Sequence, residues 1–327
     1  MSTPTSLDLP DGVQRTEIKT DLGTFAALDA HPVAGVCEWQ PALLVPGYTG
    51  SKEDFIAVLG QLTAAGRRVV AIDMRGQYET PGDSDAGAYS PASLGLDIAA
   101  VADAIGAVHL LGHSFGGLVT RETMLADGAG IGSLTLMSSG PAALSGPRAA
   151  ELRGFLAFVD GHGAGVGGDG SGEGGDGVGV GGDGDGDGDG GGGDTEELRL
   201  KIKQIWETQL GPQAVASGVP SDIVAFLRER MLRNCPTGLV AMARYLLSAP
   251  DRTEELAELL RVPVLVLYGE EDNTWEPLVQ EEMAAQLDAE RICIPGATHS
   301  PAVEAPATTA SALTDFWNAT EIGANSR

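Results

Sequence analysis

The sequence predicts an α/β fold: a mostly parallel sheet with helices on both faces, interrupted by an inserted helical cap. Three observations carry this. Short, unbroken apolar runs alternate with helical patterns through residues 1–140 and again through 253–327, as strands buried on both faces require. Between them, 141–252 offers amphipathic helices and no convincing strand. One strand-to-helix junction, Gly112-His113-Ser114-Phe115-Gly116, carries a G-x-S-x-G pattern that alone is common by chance but is specific with a strand before it and a helix after.

The elements follow in order. Val13 to Thr20 and Gly23 to Asp29 read as two strands joined by a turn at Asp21-Leu22-Gly23. Ala42 to Val45 precedes a helix over Phe55 to Ala65, and Arg68 to Asp73 precedes, after a loop, a helix over Leu94 to Ile105. Val108 to Leu111 runs into Leu118 to Leu125, and Leu134 to Met137 closes this part of the core. The insertion holds helices at Arg148 to Val159, Glu196 to Leu210, Asp222 to Arg233 and Gly238 to Ser248. Strand Pro263 to Tyr268, a helix near Leu278 to Leu287, strand Arg291 to Ile294 and a terminal helix ending near Trp317 complete the chain. A helical block spliced into such a sheet is expected over the carboxyl edge of the strands, where ligands bind.

Within the insertion, 20 of the 33 residues from Gly161 to Gly193 are glycine. Such a tract buries too little apolar surface to offset its conformational entropy, so a disordered surface loop is expected. Its G-x-G-x-x-G matches follow no strand. Asp183, Asp185, Asp187 and Asp194 imitate a calcium loop, but Gly190 stands where an apolar anchor belongs. Neither dinucleotide nor specific calcium binding is expected there.

Net charge is −26, from 46 acidic and 20 basic residues, which disfavours nucleic acid and anionic membrane surfaces as partners. Cys37, Cys235 and Cys293 are odd in number and widely spaced, so buried free thiols in a reducing compartment are expected rather than a disulfide framework or a metal site. No signal peptide is visible at the start and no run approaches a membrane span. The expectation is a cytoplasmic monomer or small homo-oligomer acting on a small-molecule substrate, with no metal or organic cofactor.

The chemistry centres on Ser114. An elbow between strand Val108-His109-Leu110-Leu111 and helix Leu118-Val119-Thr120 exposes a hydroxyl above the sheet edge, and Gly112 and Gly116 let backbone and helix approach closely. A serine hydroxyl needs a neighbouring base. Of five histidines, His31 precedes the sheet proper, His162 lies in the glycine tract, and His109 lies within a strand. His113 adjoins the serine but should point elsewhere. His299, in a loop directly after the last strand, is the base. The acid follows the serine and precedes the histidine: Asp272 in Gly269-Glu270-Glu271-Asp272, with Glu271 as the alternative. Two backbone amides should meet an oxyanion, one from Phe115 and one from Tyr48 in Pro46-Gly47-Tyr48-Thr49-Gly50. Trp206, Met242 and Tyr245 are candidates to line the substrate pocket, although plain helix packing is the commoner role for each.

In these motifs, together with Asp73-Met74-Arg75-Gly76 and Gly296-Ala297-Thr298-His299-Ser300, the chain resembles the α/β-hydrolase fold family in its capped, esterase-like branch. The resemblance covers nearly everything except the glycine tract. It implies a serine hydrolase, expected to act on a small or medium carboxylic ester through an acyl-enzyme. The alternatives are thioester, amide or carbon–carbon bond hydrolysis by the same residues, or a ligand-binding protein on the same fold. Where members usually show Arg-Gly-His-Gly-x-Ser, this chain has Arg75-Gly76-Gln77-Tyr78-Glu79-Thr80, so subfamily specificity does not carry over. Epoxide hydrolases and haloalkane dehalogenases of similar fold use an aspartate nucleophile, which Ser114 argues against.

Overall fold

A computed structural model describes residues 2–33, 35, 37–126, 128, 130–161 and 191–325. Eight strands form one sheet: β1 (Val13–Thr20), β2 (Gly23–Ala30), β3 (Trp39–Val45), β4 (Arg67–Ile72), β5 (His109–His113), β6 (Ser133–Met137), β7 (Val264–Gly269) and β8 (Glu290–Ile294). Their order is β1-β2-β4-β3-β5-β6-β7-β8. The β1–β2 hairpin joins β4 antiparallel, and every later pairing is parallel.

Alternation along the strands divides the core into two layers. Leu43, Val45, Val70, Ile72, Leu110 and Val266 face one way, onto α2 (Pro91–Ile105), α3 (Phe115–Ala126) and α10 (Pro277–Gln286). Ala42, Leu44, Val69, Ala71, Leu111 and Leu265 face the other, onto α1 (Ile56–Ala64), the short α11 (Pro301–Glu304) and α12 (Pro306–Asn325). The continuous apolar runs are therefore covered on both sides.

Between β6 and β7 stand α4 (Gly146–Val159), α5 (Gly191–Ile205), α6 (Gly211–Ala216), α7 (Ser221–Arg233), α8 (Pro236–Leu246) and α9 (Thr253–Leu259). A separate apolar cluster of Ile202, Trp206, Ile223, Phe226, Leu227, Met231 and Leu239 holds α5, α7 and α8 together. Residues 162–190, and with them His162 and most of the glycine tract, lie outside the described residues.

Several elements differ from the sequence expectation, and Cys37 and Cys293 are exposed and Cys235 half-buried where the sequence predicts buried thiols. Strand β3 begins at Trp39 rather than Ala42, with its register on β4 shifting between the two, because Gln40 and Pro41 break the apolar signature without breaking the strand. The stretch expected as one helix to Leu210 changes pitch into a wider turn at Trp206–Leu210 and continues as α6. Helix α9 is short and acidic, with little periodicity to announce it. Helix α12 passes Trp317, held by Glu321, whose carboxylate accepts from Arg67 at 2.7 Å and lies 2.9 Å from His109 Nε2.

Candidate active site

Ser114 sits between β5 and α3 with φ of 55°, a left-handed conformation that is costly for a residue with a Cβ. The neighbouring glycines explain how the chain tolerates it. A Cβ at Gly112 would strike the Gly116 carbonyl and Thr120, and one at Gly116 would strike the Pro46 carbonyl. Strand, turn and helix are thus packed closely, with Ser114 held at the junction where α3 begins.

The imidazole of His299 reaches this hydroxyl from the loop after β8. Its Nε2 lies 2.9 Å from Ser114 Oγ, and its Nδ1 lies 3.0 Å from Asp272 Oδ1. Asp272, buried after β7, also accepts the Thr274 amide at 2.9 Å and the Gln280 side-chain amide at 3.0 Å. Gln280 donates again to the Trp275 carbonyl at 2.8 Å, which fixes its orientation. Glu271 is exposed, and Glu270 accepts the Gly296 amide at 3.0 Å, bracing the histidine loop from outside. Glu304 accepts the Thr298 hydroxyl at 2.7 Å and braces the same loop from the other end.

His113 does more than point away. Its Nε2 donates to the His299 carbonyl at 2.8 Å, and the two rings stand 5.2 Å apart. Burial first, then the neighbouring His299, lowers its pKa to about 3, so the ring is a neutral prop. His109 is buried, stacks on Trp317 with centroids 5.6 Å apart, and lies 2.7 Å from Ser133 Oγ; burial lowers its pKa to about 4.

The loop after β3 runs past the serine. A Cβ at Gly47 would come within 3.1 Å of Ser114 Cβ, so this stretch and Tyr48 border the hydroxyl. Fully buried Gln77 clamps the loop, donating to the Gly47 carbonyl at 2.8 Å and the Tyr48 carbonyl at 3.2 Å while accepting the Met74 amide at 3.0 Å. The Tyr48 hydroxyl donates to the Leu239 carbonyl of α8 at 2.9 Å, and burial raises its pKa. Beneath the loop, Lys52 donates to Asp73 at 2.7 Å and Glu79 at 2.6 Å, and Arg230 of α7 donates to Asp54 at 2.6 Å.

Above Ser114 and His299 opens a cavity of about 790 Å³. Its far wall is mostly apolar and comes from the insertion: Leu152, Phe155, Phe158, Ile205, Leu227 and Met231. Trp206, Met242 and Tyr245 are not among the lining residues. Trp206 is buried in the cluster joining the insertion helices, and Met242 is buried against the sheet layer, with Tyr245 packed edge-on to Phe115 at 6.5 Å. Their helices turn other faces to the cavity. Gln77 and Gln280 escaped sequence reading because an isolated glutamine carries no pattern.

The profile of the Alpha/beta hydrolase family matches residues 42–312. A curated relative, "Putative carbamate hydrolase RutD" of Variovorax paradoxus, is 36% identical over 138 residues, or 41% of this chain and 50% of that protein. The chain thus spans about half the length of the curated relative it matches. Among solved structures, the thermophilic esterase of Thermogutta terrifontis superposes with a TM-score of 0.65 at 21% identity, covering 94% of this chain and 99% of the other. The enol-lactonase of Burkholderia xenovorans gives 0.61 at 14% identity, covering 93% of this chain and 100% of the other. With the strand order, the elbow and a profile match over most of its length, the chain belongs to the alpha/beta hydrolase family.

Proposed function

We propose that this protein is a serine hydrolase of small or medium carboxylic esters, working through an acyl-enzyme. One observation carries the reading: the continuous relay from Ser114 Oγ through His299 to Asp272, with contacts of 2.9 and 3.0 Å. His299 Nε2 takes the proton of Ser114 as its oxygen attacks the ester carbonyl. Asp272 holds Nδ1–H toward itself and stabilises the imidazolium without taking the proton. The oxyanion is met by the amides of Phe115, at the start of α3, and Tyr48. The imidazolium then protonates the departing alcohol. Water, deprotonated by the same imidazole, releases the acid and restores Ser114. The insertion serves as a cap, and its apolar wall suits an uncharged acyl or alkyl group.

A fluorophosphonate probe should label Ser114 alone, and Ser114→Ala should lose both labelling and ester turnover. Undiminished hydrolysis in Ser114→Ala would refute the mechanism. A second reading, cleavage of a carbamate by the same residues, is favoured by the partial match to a protein of that name. Rates on an ester, a thioester, an aryl carbamate, an aminoacyl anilide and a ring-cleavage diketone separate these bond types.

A further inference from the structure

The cavity wall has a component from a part of the chain with no motif in it. Ser2 and Thr3 line the cavity together with Ser114 and His299. The segment that brings them there is anchored along its length. Pro10 abuts Gly60 of α1, where a Cβ would come within 3.2 Å of the proline ring, and Leu9 packs on the sheet layer around α1 and α12. Leu7 packs on the cluster that joins α5, α7 and α8, and Pro4 is buried. At its tip the Ser2 hydroxyl lies 2.8 Å from the hydroxyl of Ser300, the residue after His299. The Ser2 carbonyl accepts from Arg230 Nη2 at 2.6 Å, and this wholly buried guanidinium uses its other arm on Asp54 at 2.6 Å.

Two ties therefore fix Ser2 between the histidine loop and α7. A buried guanidinium is costly without partners, so the carbonyl it binds is held in place rather than resting on the surface. We propose that residues 2–4 are a fixed wall of the substrate cavity and that Ser2 is a specificity-determining residue, setting the size of the uncharged alkyl or aryl group admitted beside Ser114. The neighbouring wall of Leu152, Phe155, Leu227 and Met231 gives that group its apolar character. The proposal rests on the ester-hydrolase reading for its substrate but not for its geometry.

The test compares the wild-type chain, a variant lacking residues 2–5 and Ser2→Leu, which keeps the backbone carbonyl for Arg230. Each is assayed with p-nitrophenyl acetate and octanoate and melted to verify folding. Turnover of acetate by the wild type, lost in Ser114→Ala, tests the ester reading by itself. If the wall is real, the deletion raises the octanoate-to-acetate ratio of kcat/KM by about 5-fold or more, and Ser2→Leu lowers it by a similar factor, both mainly through KM. A ratio within about 2-fold of wild type in both would overturn the proposal, and Ser2→Leu alone decides if the deletion does not fold. Should the wild type cleave no ester, titration with anilinonaphthalene sulfonate reads the cavity directly. A dissociation constant moved at least about 3-fold by either variant supports the wall, and unchanged binding overturns it.

Discussion

Ser114 and Gln77 show two ways in which one residue governs this site. The left-handed backbone at Ser114 is a strain that glycine would not feel. Ser114→Gly and Ser114→Ala both remove the hydroxyl, but only glycine relieves the φ of 55°. Chemical denaturation should therefore find Ser114→Gly more stable than Ser114→Ala by about 1 kcal/mol. Equal stabilities would mean that the surrounding packing, not the dihedral, dominates. Gln77 bears on the loop that borders Ser114 rather than on the serine itself. Gln77→Leu would take the side-chain donor from the part-buried Tyr48 carbonyl and from the Gly47 carbonyl, which keeps the Gly50 amide. It would also take the acceptor from the buried Met74 amide, at about 1–3 kcal/mol for each group left unpaired. Because the loop carries the proposed Tyr48 donor, kcat should drop by about 10²-fold with KM changed far less. A fall in KM-controlled binding alone would argue against a positioning role.

At the scale of elements, what matters is how closely β7 and the histidine loop approach. A Cβ at Gly269 would collide with the Thr298 and Ala297 carbonyls, whereas one at Gly323 in α12 would meet nothing. Gly269→Ala should cost about 1–3 kcal/mol and sharply reduce turnover by displacing His299. Gly323→Ala should be neutral or stabilising by up to about 1 kcal/mol. Thermal melts and initial rates on the pair check both statements. Elements of this kind were largely legible beforehand. The strands that build the edge under the site announce themselves by unbroken apolar runs, and the elbow by its two glycines. What escaped were features defined by tertiary partners. Strand β3 begins in a polar, proline-containing stretch, and α12 outlasts its apolar stripe because Arg67 and His109 hold Glu321. Trp206, Met242 and Tyr245 stood between pocket lining and the commoner plain helix packing, since helical period says which face is apolar but not which neighbour covers it.

For the molecule as a whole, the two buried imidazoles predict acid sensitivity. His113 and His109 have folded pKa values of about 3 and about 4, below their ordinary value of 6.5. As pH falls below 6.5 the unfolded chain takes protons that the folded chain refuses, so stability declines by up to about 1.4 kcal/mol per pH unit for each ring. Burial pushes Asp73 the other way, up to about 7, and its protonation in the fold opposes the decline over the same window. A comparison with His109→Gln cancels the aspartate: urea midpoints at pH 7 and pH 5 should differ more for the wild type than for the variant. Equal differences would show that His109 is not a source of the loss.

Because Ser2 lies in the cavity wall, the stretch ahead of β1 is also a boundary of the cavity above Ser114 and His299. A purification handle joined ahead of Ser2 would run on from that wall. Substrate profiles gathered with and without such a handle would then differ, the handle acting as an added wall.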